Sequence, residues 1–152
     1  MTAPVHQTVL LLHLLAAMFW LGGMATIVLC VRPAALAALT APQPIQLLHA
    51  TLARFLKYVA LALAILLLTG IHLYGLRGGM GARWGIHVMA FGGILMMLVY
   101  GHLRFGPFKK LDASVKSQNW AEGKAALGQI RVLVLVNLFL GVLITAAVKL
   151  GA

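Results

Sequence analysis

The stretch that decides the fold reads His13-Leu-Leu-Ala-Ala-Met-Phe-Trp20-Leu-Gly-Gly23, and it lies inside a long apolar run. His13 and Trp20 are two helical turns apart, so they share one helix face, beside the small Gly22 and Gly23. An ionisable side chain inside a membrane span is costly and is by default a candidate functional residue. Small neighbours leave room for a flat cofactor or for a closely packed helix. The stretch therefore predicts a membrane helix whose histidine faces the interior of a bundle.

Composition places the rest of the chain in the membrane as well. Of the 152 residues, 62% are hydrophobic and 9% are charged, against about 45–50% and about 25% in soluble domains. Four apolar runs are bounded by basic residues, and each is near the roughly 20 residues that a spanning helix needs. We predict a single transmembrane domain over residues 1–152, with spans at about 5–31, 46–76, 84–104 and 126–149. The predicted fold is all-α, an integral membrane four-helix bundle with up-down topology.

The distribution of charge predicts the orientation of this bundle. The chain has 12 basic and 2 acidic residues, and nine of the basic residues fall on one side of the predicted spans. These nine are Arg32, Arg54, Lys57, Arg104, Lys109, Lys110, Lys116, Lys124 and Arg131. By the positive-inside rule that side is cytoplasmic, so both termini point outward. We expect a multi-pass protein of the bacterial inner (cytoplasmic) membrane, with both termini on the outer side. The expected partner of its basic residues is the lipid bilayer and not nucleic acid.

A cytoplasmic amphipathic segment is expected before the last span, because residues 108–116 carry three lysines among apolar residues. Such a segment suits the anionic headgroups of an inner leaflet. Asn119 followed by Glu122 has the spacing of a capping box and predicts the start of the helix that becomes the fourth span. Within that span Asn137, Gly141 and Thr145 share one face, which should turn inward as a packing seam or as a cofactor contact.

Three histidines form the candidate site. Depths measured from the middle of each span at 1.5 Å per residue put His13, His72 and His87 in one outer layer. Haem b needs two axial imidazoles, whereas copper or zinc would use three. In an up-down bundle the first and third spans lie on a diagonal of about 11–14 Å, which is wide enough to hold a porphyrin iron. His13 and His87 form that diagonal pair of candidate axial ligands.

The other candidate residues take their roles from this pair. His72 would lie beside the cofactor without binding the iron, and Trp20 would line the cofactor face. Arg77 and Arg83, just outside the spans, would pair with haem propionates, or else are ordinary solvated loop charges. A single intramembrane histidine is equally often a residue that hydrogen-bonds two helices together.

Other chemistries have little support in the sequence. The only carboxylates, Asp112 and Glu122, lie in the inner loop, so an intramembrane hydrolase is not expected and no catalytic residue is identified. Copper sites usually add soft sulfur ligands to histidine. The methionines here, Met18 and Met89 among them, form no repeated pattern, and methionine is a common filler of apolar cores.

Taken together, these motifs resemble the small four-span proteins of the copper resistance D (CopD) family. The matching residues are His13 with Trp20-Leu-Gly-Gly23, Val31-Arg32-Pro33, Arg54-Phe55, Thr69-Gly70, Ile86-His87-Val-Met89, Gly101-His102, Pro107-Phe108 and the stretch from Ala126 to Asn137. The first motif and the histidine of the third span are also similar to HemJ, a four-span haem b protein tied to protoporphyrinogen oxidation. HemJ carries a lysine early in its third span, where this chain has none. The CopD resemblance implies copper uptake across the inner membrane.

The leading hypothesis from the sequence is a haem b protein that acts in electron transfer or oxidation at the periplasmic face. His13 and His87 would be the axial ligands, and a quinone or a redox protein would be the partner of such a membrane haem oxidoreductase. The alternative is a copper-binding or copper-transport protein that uses His13, His72 and His87 with Met18 or Met89. A third hypothesis is a structural subunit without a cofactor. Substrate and oligomeric state, including a homo-oligomer, are left open.

Overall fold

The computed structural model describes residues 3–150, which form helices joined by short turns. In chain order these are α1 (Ala3–Thr26), a π-helical segment (Ile27–Val31), α2 (Arg32–Ala38), α3 (Gln43–Leu76), a short 3-10 turn (Gly79–Gly81), α4 (Trp84–Phe105), α5 (Pro107–Lys116) and α6 (Trp120–Leu150). No strand occurs within the described residues. Four helical stretches in this part of the chain are long and apolar enough to cross a membrane. The predicted all-α membrane bundle is confirmed.

The four spans pack in the order in which they follow one another along the chain. α1 packs chiefly against α3, and α4 packs chiefly against α6, while smaller contacts of α3 with α4 and of α1 with α6 close the bundle. α1 and α4 therefore occupy opposite corners, as an up-down topology requires. Two polar contacts join neighbours: the Tyr100 hydroxyl donates to the Leu56 carbonyl at 2.8 Å, and Asn137 Nδ2 donates to the Met96 carbonyl at 3.4 Å.

The outward faces of the bundle are as apolar as its core. Met18, Leu68, Phe91 and Phe139 are exposed over 62–71% of their surface. A helix that is apolar all round is stable only when it is covered on every side. Because these faces turn away from the protein, the lipid bilayer is their environment.

The sequence predicts that the first helix ends before Arg32-Pro33, and this prediction is wrong. The helix continues through the π-helical segment and α2 as far as Ala38. The Arg32 amide donates to the carbonyl of Ile27, five residues back, so this turn is wider than an α-helical turn. A proline lacks an amide hydrogen and crowds the carbonyl four residues before it. Pro33 is tolerated here because the widened turn precedes it and because it falls in the first turn of α2.

The amphipathic segment before the last span is α5. Leu111 is fully buried, while Lys109 is exposed, as the alternation of lysines and apolar residues predicts. The predicted cap also forms: the amide of Glu122 donates to Oδ1 of Asn119 at 3.3 Å, and Nδ2 of Asn119 donates to Oε2 of Glu122 at 3.2 Å. With this cap α6 begins at Trp120, six residues before the predicted span.

The seam predicted on the fourth span faces inward at Asn137 and Gly141, whereas Thr145 is exposed. Asn137 is 3% exposed, and Gly141 lies directly against the side chain of Leu21 on α1. A larger residue than glycine at 141 would collide with that leucine. The seam thus brings α6 close to α1, as expected for the first of its two predicted roles, helix packing.

Candidate functional site

His13, His72 and His87 lie at the end of the bundle where α3 passes into α4, which we call the histidine end. Nδ1 of His13 is 2.8 Å from Oγ1 of Thr69 on α3. The Thr69 hydroxyl gives its single proton to the carbonyl of Ile65, at 2.6 Å, so it accepts from the histidine. Nδ1 of His13 therefore carries the hydrogen, and Nε2 keeps a free lone pair. Fixing one ring nitrogen in this way prepares the other to bind a metal.

Gly70 lies next to the ring of His13. A Cβ at position 70 would lie 3.4 Å from Cε1 of that ring, at the short end of ordinary van der Waals contact. The pair Thr69-Gly70 thus provides a hydrogen-bond acceptor and a flat surface for one imidazole. Sequence reasoning noted these two residues only as part of the family resemblance and assigned them no role.

His87 is held by a tyrosine that sequence reasoning did not identify. Nδ1 of His87 lies 3.0 Å from the hydroxyl of Tyr74, and the same hydroxyl lies 3.4 Å from Sδ of Met80. The Tyr74 ring meets the imidazole edge-on, with 5.7 Å between centroids. Met80 is 83% exposed in the turn between α3 and α4. An imidazole and a thioether, both ligands that copper accepts, therefore meet at one hydroxyl near the membrane surface.

His72 lies between these two contacts along α3. Its Nε2 is buried and has no hydrogen-bond partner within residues 3–150. A buried polar atom without a partner costs about 1–3 kcal/mol, and a native protein retains one for a reason such as a bound ion. Among the three histidines, His72 is the one whose surroundings most clearly call for a ligand.

The three histidines share one end of the bundle but are not at one level. His13 contacts α3 at Thr69, whereas His87 contacts it at Tyr74, five residues further along. At 1.5 Å per residue the two contacts are roughly 7–8 Å apart in depth, with His72 between them. Flanking charges could not give this offset, because tilt and packing set the axial position of each helix. In the described part of the chain, no three His, Cys, Asp or Glu side chains are close enough to hold one metal ion.

Trp20 and Gly23 pack inside the bundle, whereas an added Cβ at Gly22 would meet nothing within 4 Å. Trp20 is 4% exposed and, with Met24 and Asn137, lines a cavity of about 20 Å³, room for about one water molecule, in the part of the bundle that lies toward Arg54 and Arg104. Gly23 lies directly against the ring of Phe55 on α3. The space expected at Gly23 is therefore filled by α3. Neither this cavity nor a second one next to it, which shares Ile27, Leu52 and Val134 with it, is lined by a histidine.

The remaining candidates lie near the surface. Arg77 follows α3, Arg83 precedes α4, and both are exposed at the histidine end, which is where the sequence predicts them. Their pairing with propionates stays a prediction. Met18 is 69% exposed on the outward face of α1, and its role as a copper ligand stays a prediction. Met89 is half-buried on α4.

The opposite end, which we call the basic end, contains a cluster that the sequence did not predict. Nε2 of His49 lies 3.0 Å from Oδ1 of Asp112, whose Oδ2 accepts from Lys116 at 2.7 Å. The hydrogen bond from Lys116, followed by that from His49, holds the pKa of Asp112 below its ordinary value of 3.8. The His49 ring stacks on Phe108 at 5.8 Å. This cluster fastens α5 to α3 and leaves His49 with a structural role.

The chain thus has four membrane spans and carries imidazole and thioether groups at one end of them. The family model described as CopD, Copper resistance protein D, matches residues 49–150, about two thirds of the chain. The chain belongs to the CopD family. The match includes His72 and His87, while His13 and Trp20 precede it. No curated protein and no solved structure matches the chain.

The family membership confirms the predicted CopD resemblance. The chain is a multi-pass membrane protein of the copper-resistance type. The similarity to HemJ, the binding of haem b and the redox partner stay predictions, because neither the comparisons nor the described residues support them.

Proposed function

We propose that this CopD-family protein binds copper at the histidine end and passes it into the bundle along His87, His72 and His13. The observation that carries the proposal is Nε2 of His72, which is buried without a hydrogen-bond partner in residues 3–150. Copper binds both imidazole nitrogen and thioether sulfur. A copper ion arriving at His72 would give this nitrogen a partner and offset the cost of its burial.

The levels of the histidines support a stepwise path. Met80 is exposed next to Tyr74 and His87, so an ion from outside meets these groups first. His72 lies deeper, and His13, at the level of Thr69, lies deepest. A transported ion needs sites that bind it well enough to admit it and weakly enough to release it. Separate ligands at successive depths meet that requirement better than one closed site of three ligands.

We place the histidine end on the periplasmic side of the bacterial inner membrane. Nine of the twelve basic residues lie toward the other end, and positive loops stay in the cytoplasm. Copper would then be taken up from the periplasm. Haem b, the leading hypothesis from the sequence, comes second. The imidazole of His13 suits haem iron as well as copper, but the match to the family described as Copper resistance protein D favours copper.

The test is copper flux in liposomes that contain the purified full-length protein and a copper-sensitive fluorescent indicator. His72→Ala is expected to lower the rate of copper entry about tenfold or more, since changes to residues that merely support metal ligands already cost 10–100-fold. His102→Ala is the matched control, because His102 is an exposed histidine near the basic end of α4. Its rate is expected to equal that of the wild-type protein.

Two results would overturn the proposal. One is a wild-type rate for the His72→Ala protein in a preparation whose thermal unfolding is unchanged. The other is a stoichiometric Soret band in the purified protein together with no copper flux, which would establish the haem hypothesis instead.

A further inference from the structure

A cleft at the basic end lies between α3, α6 and the π-helical segment. Its walls are apolar and include Val28, Leu48, Leu127 and Ile130. Two charged residues complete the lining, Arg32 from the end of the π-helical segment and Arg131 from α6. Two arginines therefore contribute to the wall of one apolar cleft.

Neither arginine has a counter-charge within residues 3–150. The whole chain has two carboxylates. Asp112 is bound to His49 and Lys116, and Glu122 accepts from its capping residue Asn119. A cation at the edge of the hydrocarbon region is costly unless it is paired. No carboxylate of the described residues therefore competes with an external anion for Arg32 and Arg131.

The π-helical segment determines where Arg32 lies. Each residue of an α-helix turns by about 100°, and a π-turn adds one residue without continuing the α-helical pattern. The residues after Val31 are thereby rotated relative to a regular continuation of α1. Arg32 follows this turn directly and lines the cleft that Ile27 and Val28 also line. The irregular turn places a cation next to the apolar walls.

We propose that this cleft binds one anionic phospholipid of the surrounding bilayer. Its phosphate would lie between Arg32 and Arg131, because a guanidinium group matches phosphate oxygens with two parallel hydrogen bonds. One acyl chain would lie along Val28 and Leu127. The enclosed volume is about 30 Å³, too small to enclose an acyl chain, so the chain would lie over the apolar wall and not inside the cleft. This site is independent of the copper path at the other end.

The test is native mass spectrometry of the full-length protein released from detergent, titrated with phosphatidylglycerol or with phosphatidylcholine. The wild-type protein is expected to retain one phosphatidylglycerol at concentrations where phosphatidylcholine does not bind. The variant Arg32→Gln/Arg131→Gln is expected to bind phosphatidylglycerol about tenfold or more weakly. The variant Arg54→Gln/Lys57→Gln is the matched control, since it removes two exposed positive charges of α3 near the same end and should bind as the wild type does.

A second variant separates the apolar walls from the charges. Leu127→Trp fills the cleft and keeps both arginines, so it should also lose the bound lipid if an acyl chain occupies the site. Equal weakening in the two double-glutamine variants would reduce the effect to overall charge and overturn the proposal. Equal retention of phosphatidylcholine would overturn it as well. Displacement of the lipid by inorganic phosphate at the same concentration would assign the arginines to a free anion instead.

Discussion

Thr69→Val removes one hydroxyl and keeps the shape of the side chain, and we expect it to affect His13 in particular. In the wild-type protein the hydroxyl accepts from Nδ1 of His13 at 2.8 Å and donates to the carbonyl of Ile65. The second bond is local to α3, so its loss leaves α3 intact. The first bond joins α1 to α3. Without it, Nδ1 of a partly buried imidazole is left without a partner.

The expected cost can be bracketed. In water-soluble proteins an unsatisfied buried polar group costs about 1–3 kcal/mol. Hydrogen bonds between membrane helices contribute less, on average about 0.6 kcal/mol and at most about 1.7 kcal/mol, because the separated helices find other partners. The membrane values apply here, so Thr69→Val should lower the free energy of unfolding by roughly 0.6–1.7 kcal/mol. Copper flux should fall about 10–100-fold, because the imidazole is no longer fixed through Nδ1.

Thr145→Val is the matched control for stability. The Thr145 hydroxyl also donates to a carbonyl four residues back, that of Gly141, at 2.8 Å. No histidine within the described residues bonds to the Thr145 hydroxyl. Both variants can be unfolded with denaturing detergent in mixed micelles and their stabilities compared with that of the wild-type protein. Equal stabilities of the two variants, with unchanged copper flux, would refute the role assigned to the Thr69 hydroxyl.

Three other predictions follow from the packing, the charges and the topology. Gly23→Ala should lower the free energy of unfolding by about 1–3 kcal/mol, because a Cβ at 23 collides with Phe55. Gly22→Ala should raise it by up to about 1 kcal/mol, because the added Cβ has open space around it. A loss of stability in both variants would contradict this prediction. The lowered pKa of Asp112 stabilises the protein at pH values above 3.8, so the attachment of α5 should weaken as the pH falls through 3.8 and below. Amide hydrogen exchange in α5 should become faster as the attachment weakens. In the Asp112→Asn variant the attachment of α5 should no longer depend on pH in this range. Tags on both termini should be accessible from outside the inner membrane, and a cytoplasmic signal from either tag would reverse the proposed direction of copper movement.

The sequence predicts the membrane architecture well because the physical signals behind it are local. Apolar runs bounded by charges determine the number of spans, and short connections make consecutive spans neighbours. The cap at Asn119 and Glu122 and the amphipathic pattern of α5 depend on residues only a few positions apart. Each of these features needs no knowledge of the other helices.

The contacts of the candidate site were not predictable in the same way. Thr69 lies 56 positions from His13, and Asp112 lies 63 positions from His49. Which residues meet across two helices depends on their rotation and axial shift, and a difference of one residue turns a side chain by about 100°. The π-helical segment adds such a shift. The sequence therefore identifies the three histidines but does not predict Tyr74 and Thr69 as their partners.

The pairing of α1 with α3 and of α4 with α6 has a consequence for the way the protein is made. Each pair is a helical hairpin, and the first, over residues 3–76, leaves the ribosome before the second begins. His13 and Thr69 both belong to the first hairpin, so their bond can form as soon as that hairpin has inserted. His87 meets Tyr74 only after the second hairpin has docked. The proposed copper path would thus gain its deepest imidazole before its outermost one, and it would be complete only after the two hairpins have assembled.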